Sequence, residues 1–236
     1  MINVLLSINN FDEPWAYNTL VYFINPTDKV LIVPFSYHED WLYDNETWER
    51  AFNKISGTHY KEIINPFLEY DIEESNIKWI NQFTDTIDEM KNKIKESDII
   101  FFTGGYPEKM YERFCKYDIT KELENFEGIM MGMSAGAMVQ LQEYHVYPDQ
   151  DYNNFDYYNG LNIINDFDVS VHYDNGEVQN ICILKAINEK KKPVYAITDS
   201  GGLIVIGGHV IELGDVEYWE VYDNENIFWY RIYRFA

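Results

Sequence analysis

Positive charge is scarce in this chain. Lysine and arginine together number 18, against 40 aspartates and glutamates, for a formal net charge of −22. A field of that sign repels phosphate, so nucleic acid and anionic membranes are not expected as partners. Solubility alone accounts for the acidity. Cysteine is nearly missing, and Cys115 and Cys182 cannot make a disulfide scaffold. Each is expected to act as a small buried apolar residue. No apolar run is long enough to span a bilayer. The opening Met1-Ile2-Asn3-Val4-Leu5-Leu6 has no basic segment and soon reaches Asp12 and Glu13, unlike a signal peptide. A cytoplasmic protein is expected. No histidine–cysteine cluster has ligand spacing, so no metal is expected. Gly104-Gly105 lacks both a Walker pattern and a third glycine, so no phosphate loop and no cofactor are expected. Internal repeats and flexible linkers are missing as well.

What is present is an alternation of short apolar runs with helical patterns. Val4–Ile8, Val30–Pro34, Asp98–Thr103, Ile129–Met133 and Val194–Ile197 read as buried strands. Trp15–Ile24 after Pro14, Glu46–Ile55, Thr84–Lys95, Met110–Phe114, Thr120–Phe126 and Val178–Asn188 read as helices. Ile63–Tyr70 reads as a strand interrupted by Pro66, and Phe35–Tyr43 as a loop. Glu143–Tyr158, rich in tyrosine, aspartate and asparagine, is a short hairpin or a loop over a site. Gly202–Ile206 and Val210–Leu213 flank Gly207-Gly208, a hairpin signal, and Val216–Val221 and Ile227–Tyr233 close the chain as strands. The expected architecture is one α/β domain over residues 1–236: a doubly wound, mainly parallel sheet with antiparallel additions near its C-terminal end.

The chemistry centres on Gly132-Met133-Ser134-Ala135-Gly136, a G-x-S-x-G between an apolar run and a helix-prone run. Strand, sharp turn, helix is the context of a nucleophile elbow. Small neighbours, Gly132 and Gly136, let strand and helix approach. The Ala135 N–H at a helix start can stabilise an oxyanion. An ordinary turn with a serine N-cap explains the motif equally well when it is taken alone. Other strand ends add weight. Gly104-Gly105 follows a strand directly and can supply a second oxyanion donor at Gly105. His172 ends a strand after Ser134 and is the best placed of five histidines as general base. His38, His59 and His145 stand in polar contexts suited to the surface, and His209 follows a hairpin glycine pair. Asp199 ends the next strand, where a carboxylate can hold an imidazole tautomer.

In this order along the chain, these segments resemble peptidase family S51, the aspartyl dipeptidases and cyanophycinases. The matching pieces are Phe101-Phe102-Thr103-Gly104-Gly105, Gly132-Met133-Ser134-Ala135-Gly136-Ala137, Gly160-Leu161 through His172, and Tyr195 through Leu203. The resemblance implies a flavodoxin-like fold of the class I glutamine amidotransferase type and serine hydrolysis of short peptides. It implies Ser134 as nucleophile, His172 as base, Asp199 as orienting acid, and Gly105 with Ala135 as oxyanion hole. A small peptide is the implied partner, and a homodimer stays open. Family members carry arginines soon after the histidine, whereas here no arginine lies between Arg113 and Arg231. A neutral or cationic peptide is therefore expected rather than an aspartyl one. Two other readings stand beside this one. An α/β-hydrolase-type esterase would order its triad serine, acid, histidine and would need Asp166 or Asp168 with His209. A non-catalytic binding protein would keep the fold alone.

Overall fold

Short, wholly apolar runs build the centre because their side chains are buried on both faces of a sheet. The structure, a computed structural model, describes residues 1–222 and 228–232. In chain order the first elements are β1 (Ile2–Leu6), α1 (Pro14–Leu20), β2 (Val30–Val33), α2 (Asn45–Phe52) and α3 (Tyr60–Leu68). Then come β3 (Ile77–Trp79), α4 (Ile87–Glu96), β4 (Ile99–Phe102), α5 (Pro107–Lys116) and α6 (Thr120–Glu124). β5 (Ile129–Met133) and α7 (Ala135–Met138) precede a separate hairpin of β6 (Glu143–Val146) and β7 (Asp156–Asn159). β8 (Asp168–Ser170), α8 (Glu177–Lys190), β9 (Val194–Ile206), β10 (His209–Tyr222) and β11 (Phe228–Ile232) complete the fold.

The main sheet has nine strands, ordered β11-β10-β9-β1-β5-β4-β2-β3, with β8 also paired to β9. From β1 to β3 all pairs are parallel, while β1–β9, β9–β10 and β10–β11 are antiparallel. The sheet is the expected doubly wound α/β arrangement. Alternate strand residues feed its two faces. Ile32, Phe101 and Met131 pack with Leu20, Phe52 and Phe67 on one side. Val33, Phe102 and Met130 pack with Met90, Ile94 and Phe114 on the other. Burying one such side chain contributes about 1.5–3 kcal/mol.

Three expectations change. Ile63–Tyr70 is not a strand: it lies largely in α3, whose Tyr60, Ile63, Ile64 and Phe67 are buried at helical spacing. Pro66 has no N–H for the Glu62 carbonyl, and Asn9 Nδ2 donates to that oxygen instead at 2.6 Å. Val194–Ile197 and Gly202–Ile206 are not two strands but one, β9, unbroken through Asp199. Val210–Leu213 and Val216–Val221 likewise join in β10, across an irregularity between Gly214 and Val216. Ile227 and Tyr233, the ends of the expected last strand, lie outside the described residues.

The continuity of β9 positions the site. β10 occupies one edge of β9. The other edge is shared: β8 pairs in parallel with Val194–Ala196, and β1 pairs antiparallel with Gly202–Ile206. The C-terminal ends of β1 and β8 therefore point toward each other along β9. Residues 197–201 span the gap between them, and Asp199 is at its middle. On the far side of β1, Met133 of β5 is level with Leu6, so Ser134 emerges at the same sheet edge.

Candidate active site

Ser134 links β5 to α7 with φ 50° and ψ −115°. A non-glycine residue there is strained. The backbone is held by a 2.8 Å hydrogen bond from Ser134 N–H to the Leu6 carbonyl. The glycines on either side are needed for close approach. A Cβ on Gly132 would strike the Gly136 backbone, and one on Gly136 would strike the Phe102 carbonyl. Neither obstacle is a flexible side-chain tip. Gly136→Val is expected to lower unfolding stability by about 3 kcal/mol, read as a shift in denaturant midpoint. An unchanged midpoint would show that β4 and α7 are not in such contact.

His172 sits two residues beyond β8 rather than on its last residue. Its φ is 52°, a left-handed conformation. Two buried side chains hold it. Ser7 Oγ accepts from the His172 N–H at 3.0 Å and donates to the Ile197 carbonyl at 2.7 Å. Gln179 Nε2, on α8, donates to the His172 carbonyl at 3.1 Å. The ring then meets Asp199: Nδ1 to Oδ1 is 2.8 Å. Both side chains are part-exposed, His172 at 41% and Asp199 at 60%. A carboxylate only accepts, so Nδ1 carries the hydrogen and a neutral ring leaves Nε2 with a lone pair. Asp199 is thus in mid-strand, not at a strand end.

Ser134 and His172 line one cavity of about 540 Å³. No hydrogen bond joins them: Ser134 Oγ has no protein partner among the described residues. Catalytic contacts commonly tighten only on binding. Gly104 and Gly105 flank the serine. A Cβ on Gly104 would lie 3.3 Å from Ser134 Cβ. Gly105 has φ 135°, and a side chain there would press on Ser36. Ser36 fixes this loop. Its Oγ is 2.9 Å from Thr103 Oγ1 and donates to the Gly104 carbonyl, and its own carbonyl accepts from Tyr106 N–H at 2.6 Å. The N–H groups of Gly105 and Ala135 have no protein acceptor among the described residues.

The loop between β6 and β7 walls the cavity with Tyr147, Asp149, Asp151 and Tyr152. Burial pushes the Tyr147 phenol up to about 12. Burial, then the Glu108 carboxylate that accepts its hydrogen at 2.7 Å, raises Tyr152 further. Both stay neutral donors at ordinary pH. No lysine or arginine lines the cavity among the described residues. Arg113 is committed elsewhere: it donates to the Phe35 carbonyl, to the Tyr37 carbonyl at 2.8 Å and to Glu39 at 2.8 Å. Lys109 faces Glu39 and Glu112.

Several other residues fall differently from expectation. His145 is not on the surface; it is buried in β6, with Nδ1 2.6 Å from Asp168 Oδ2. Cys182 is buried as expected, but Cys115 is exposed. His209 is exposed beside Gly207-Gly208 and does not line the cavity, and Asp168 is taken by His145. Asp166 lies with those glycines along a different depression. The structure does not bring the esterase set together. Among the described residues, no group of three histidine, cysteine, aspartate or glutamate side chains could hold a metal. No helix of the described residues is long and apolar enough to cross a membrane. Ser7, Ser36 and Gln179 hold the site through backbone contacts that carry no sequence motif.

Comparison with known proteins adds three findings. The profile of Peptidase family S51 matches residues 54–213. No curated protein matches the chain. Among solved structures, a candidate peptidase E from Listeria monocytogenes EGD-e superposes with a TM-score of 0.61 at 19% identity, covering 90% of this chain and 98% of that one. A peptidase from an acI-B1 actinobacterium gives a TM-score of 0.63 at 16% identity, covering 98% of this chain and 93% of that one. At such identities the two structures speak for the fold alone.

Proposed function

The chain belongs to peptidase family S51, and on that basis we propose that it cleaves small peptides by serine chemistry at Ser134. The observation that carries this reading is that the strained Ser134 elbow and His172, itself 2.8 Å from Asp199, line one cavity. His172 Nε2 takes the Ser134 hydroxyl proton as Oγ attacks the peptide carbonyl. Asp199 holds the ring tautomer and favours the imidazolium that forms. The N–H groups of Gly105 and Ala135 receive the oxyanion. The imidazolium gives its proton to the leaving amine, and water then releases the acyl group by the same route. His172 and Asp199 also supply what the esterase ordering would ask of His209. Two free cysteines, Cys115 and Cys182, fit a reducing compartment such as the cytoplasm. One copy of the chain suffices for this chemistry.

The substrate is a short peptide without an N-terminal aspartate. A buried carboxylate generally needs a bidentate arginine or an equivalent donor cluster, and the cavity instead offers Asp149 and Asp151. The net charge of −22 adds a field against anions. A fluorophosphonate probe is expected to label the wild type and not Ser134→Ala. Asp-Leu is expected to be cleaved more slowly than Ala-Leu and Lys-Leu. Failure to label Ser134 overturns the serine mechanism. Cleavage of Asp-Leu at least as fast as the other two overturns the substrate preference alone.

A further inference from the structure

The cavity that holds Ser134 and His172 is also lined by His145, a second histidine paired with an aspartate, and by Ser170. His145 and Ser170 both face it, at 1% and 2% exposure. His145 Nε2 and Ser170 Oγ have no protein partner among the described residues. Neither atom is used in the hydrolytic steps. They belong to one built feature. Asp168 and Ser170 are two residues apart in β8, so their side chains share a side of the strand. β6 lies against β8 and brings His145 to that side, where Nδ1 meets Asp168 Oδ2. Asp168 Oδ1 accepts from Val169 N–H at 2.7 Å. Phe155 stacks on the His145 ring with centroids 5.7 Å apart and planes at 23°, fixing its orientation.

The hydrogen assignment follows from these partners. Asp168 accepts from both neighbours, so Nδ1 of His145 carries the hydrogen and a neutral ring presents a lone pair at Nε2. Ser170 presents a hydroxyl that can donate. One acceptor and one donor, both buried and without a protein partner among the described residues, on two residues that line the cavity, match a group with the opposite pair.

We propose that His145 Nε2 and Ser170 Oγ form a specificity subsite for a carboxamide side chain, that of asparagine or glutamine. The inference rests on the serine peptidase reading for what occupies the cavity. The carboxamide N–H donates to His145 Nε2, and its C=O accepts from Ser170 Oγ. A carboxylate would set a second acceptor against the Nε2 lone pair, with the Asp168 charge behind it. An aliphatic side chain would leave both buried polar atoms unpaired and gain nothing from them.

Binding can be read without hydrolysis, in the Ser134→Ala protein. Isothermal titration calorimetry with Asn-Leu, Asp-Leu and Leu-Leu, and with Leu-Asn and Leu-Asp, covers both sides of the scissile bond. The asparagine peptide of one order is expected to bind at least about tenfold more tightly than its aspartate and leucine counterparts. Adding Ser170→Ala, or His145→Phe, is expected to bring that peptide to within about threefold of Leu-Leu. Ser170→Ala removes only a hydroxyl without a protein partner, so it decides the matter if His145→Phe fails to fold. Equal binding of the three side chains, no binding of any, tighter binding of an aspartate peptide, or a preference untouched by Ser170→Ala would each overturn the subsite. Probe labelling of wild-type Ser134 tests the hydrolase reading separately, so either can fail alone.

Discussion

Ser134→Ala and His172→Ala are each expected to lower turnover by about a million-fold, the scale at which a serine triad acts as a unit. The two losses should be of similar size, and the double variant should be little worse than either. A hydroxyl without its base is a weak nucleophile, and a base without the hydroxyl has nothing to activate. Binding and the two N–H groups of Gly105 and Ala135 would supply what activity remains. The fold gives a clean control. Among the described residues, Ser134 Oγ has no protein hydrogen-bond partner, and the His172 ring makes its one hydrogen bond to Asp199. The backbone of His172 is held by Ser7 and Gln179 whatever its side chain. Neither substitution should therefore move the thermal midpoint appreciably. The measurement is kcat/KM on the best peptide of the dipeptide panel, with a melting curve beside it. Activity lost in His209→Ala and kept in His172→Ala would reverse the choice of base in favour of the esterase ordering.

The central strands were legible because each is a short apolar run between turn-forming residues, and burial on both faces permits little else. For that reason β4 and β5, Ile99–Phe102 and Ile129–Met133, coincide with the apolar runs to within a residue or so. Ser134 was legible because an elbow demands small residues at fixed offsets, and Gly132 and Gly136 are there. The features that no local pattern carries depend on contacts distant in sequence. Ile63–Tyr70 reads as broken by Pro66, and Asn9, 53 positions away from Glu62, satisfies the carbonyl that proline leaves open. Asp199 looked like a strand end because Ser200, Gly201 and Gly202 follow it. The strand continues because β10 pairs along both halves of it and β1 takes the edge that β8 leaves free. His145 looked like a surface residue among tyrosines and glutamate. Its burial is set by Asp168, and no local pattern announces a pair 23 positions apart.

Asp199→Asn is expected to lower turnover by about a thousand-fold, less than loss of Ser134 or His172. Two magnitudes bracket that figure. A charge-assisted hydrogen bond alone is worth about 1.5–3 kcal/mol, or roughly ten- to a hundred-fold in rate at 1.36 kcal/mol per decade. In a buried triad, replacing the acid by its amide costs about ten-thousand-fold, because the amide can also favour the wrong tautomer. Here Asp199 is 60% exposed and His172 is 41% exposed, so water competes for the ring and part of that penalty is relieved. The effect should lie between the two limits and in kcat rather than KM, since Asp199 does not line the cavity. The fold should tolerate the change, because the structural contact at this position is made by the Asp199 carbonyl, which accepts from Asn10 Nδ2 at 3.1 Å. Asp174 and Glu177 are the other acids near the histidine in sequence. Asp174 Oδ1 already accepts from the Gly176 N–H at 2.7 Å and shapes the turn into α8. Asp174→Asn and Glu177→Gln should accordingly leave kcat close to wild type. Single-turnover rates on the same peptide for the three variants separate the cases. If Asp199→Asn turned over at the wild-type rate while Asp174→Asn or Glu177→Gln did not, the orienting acid would be reassigned, and Ser134 and His172 would keep their roles.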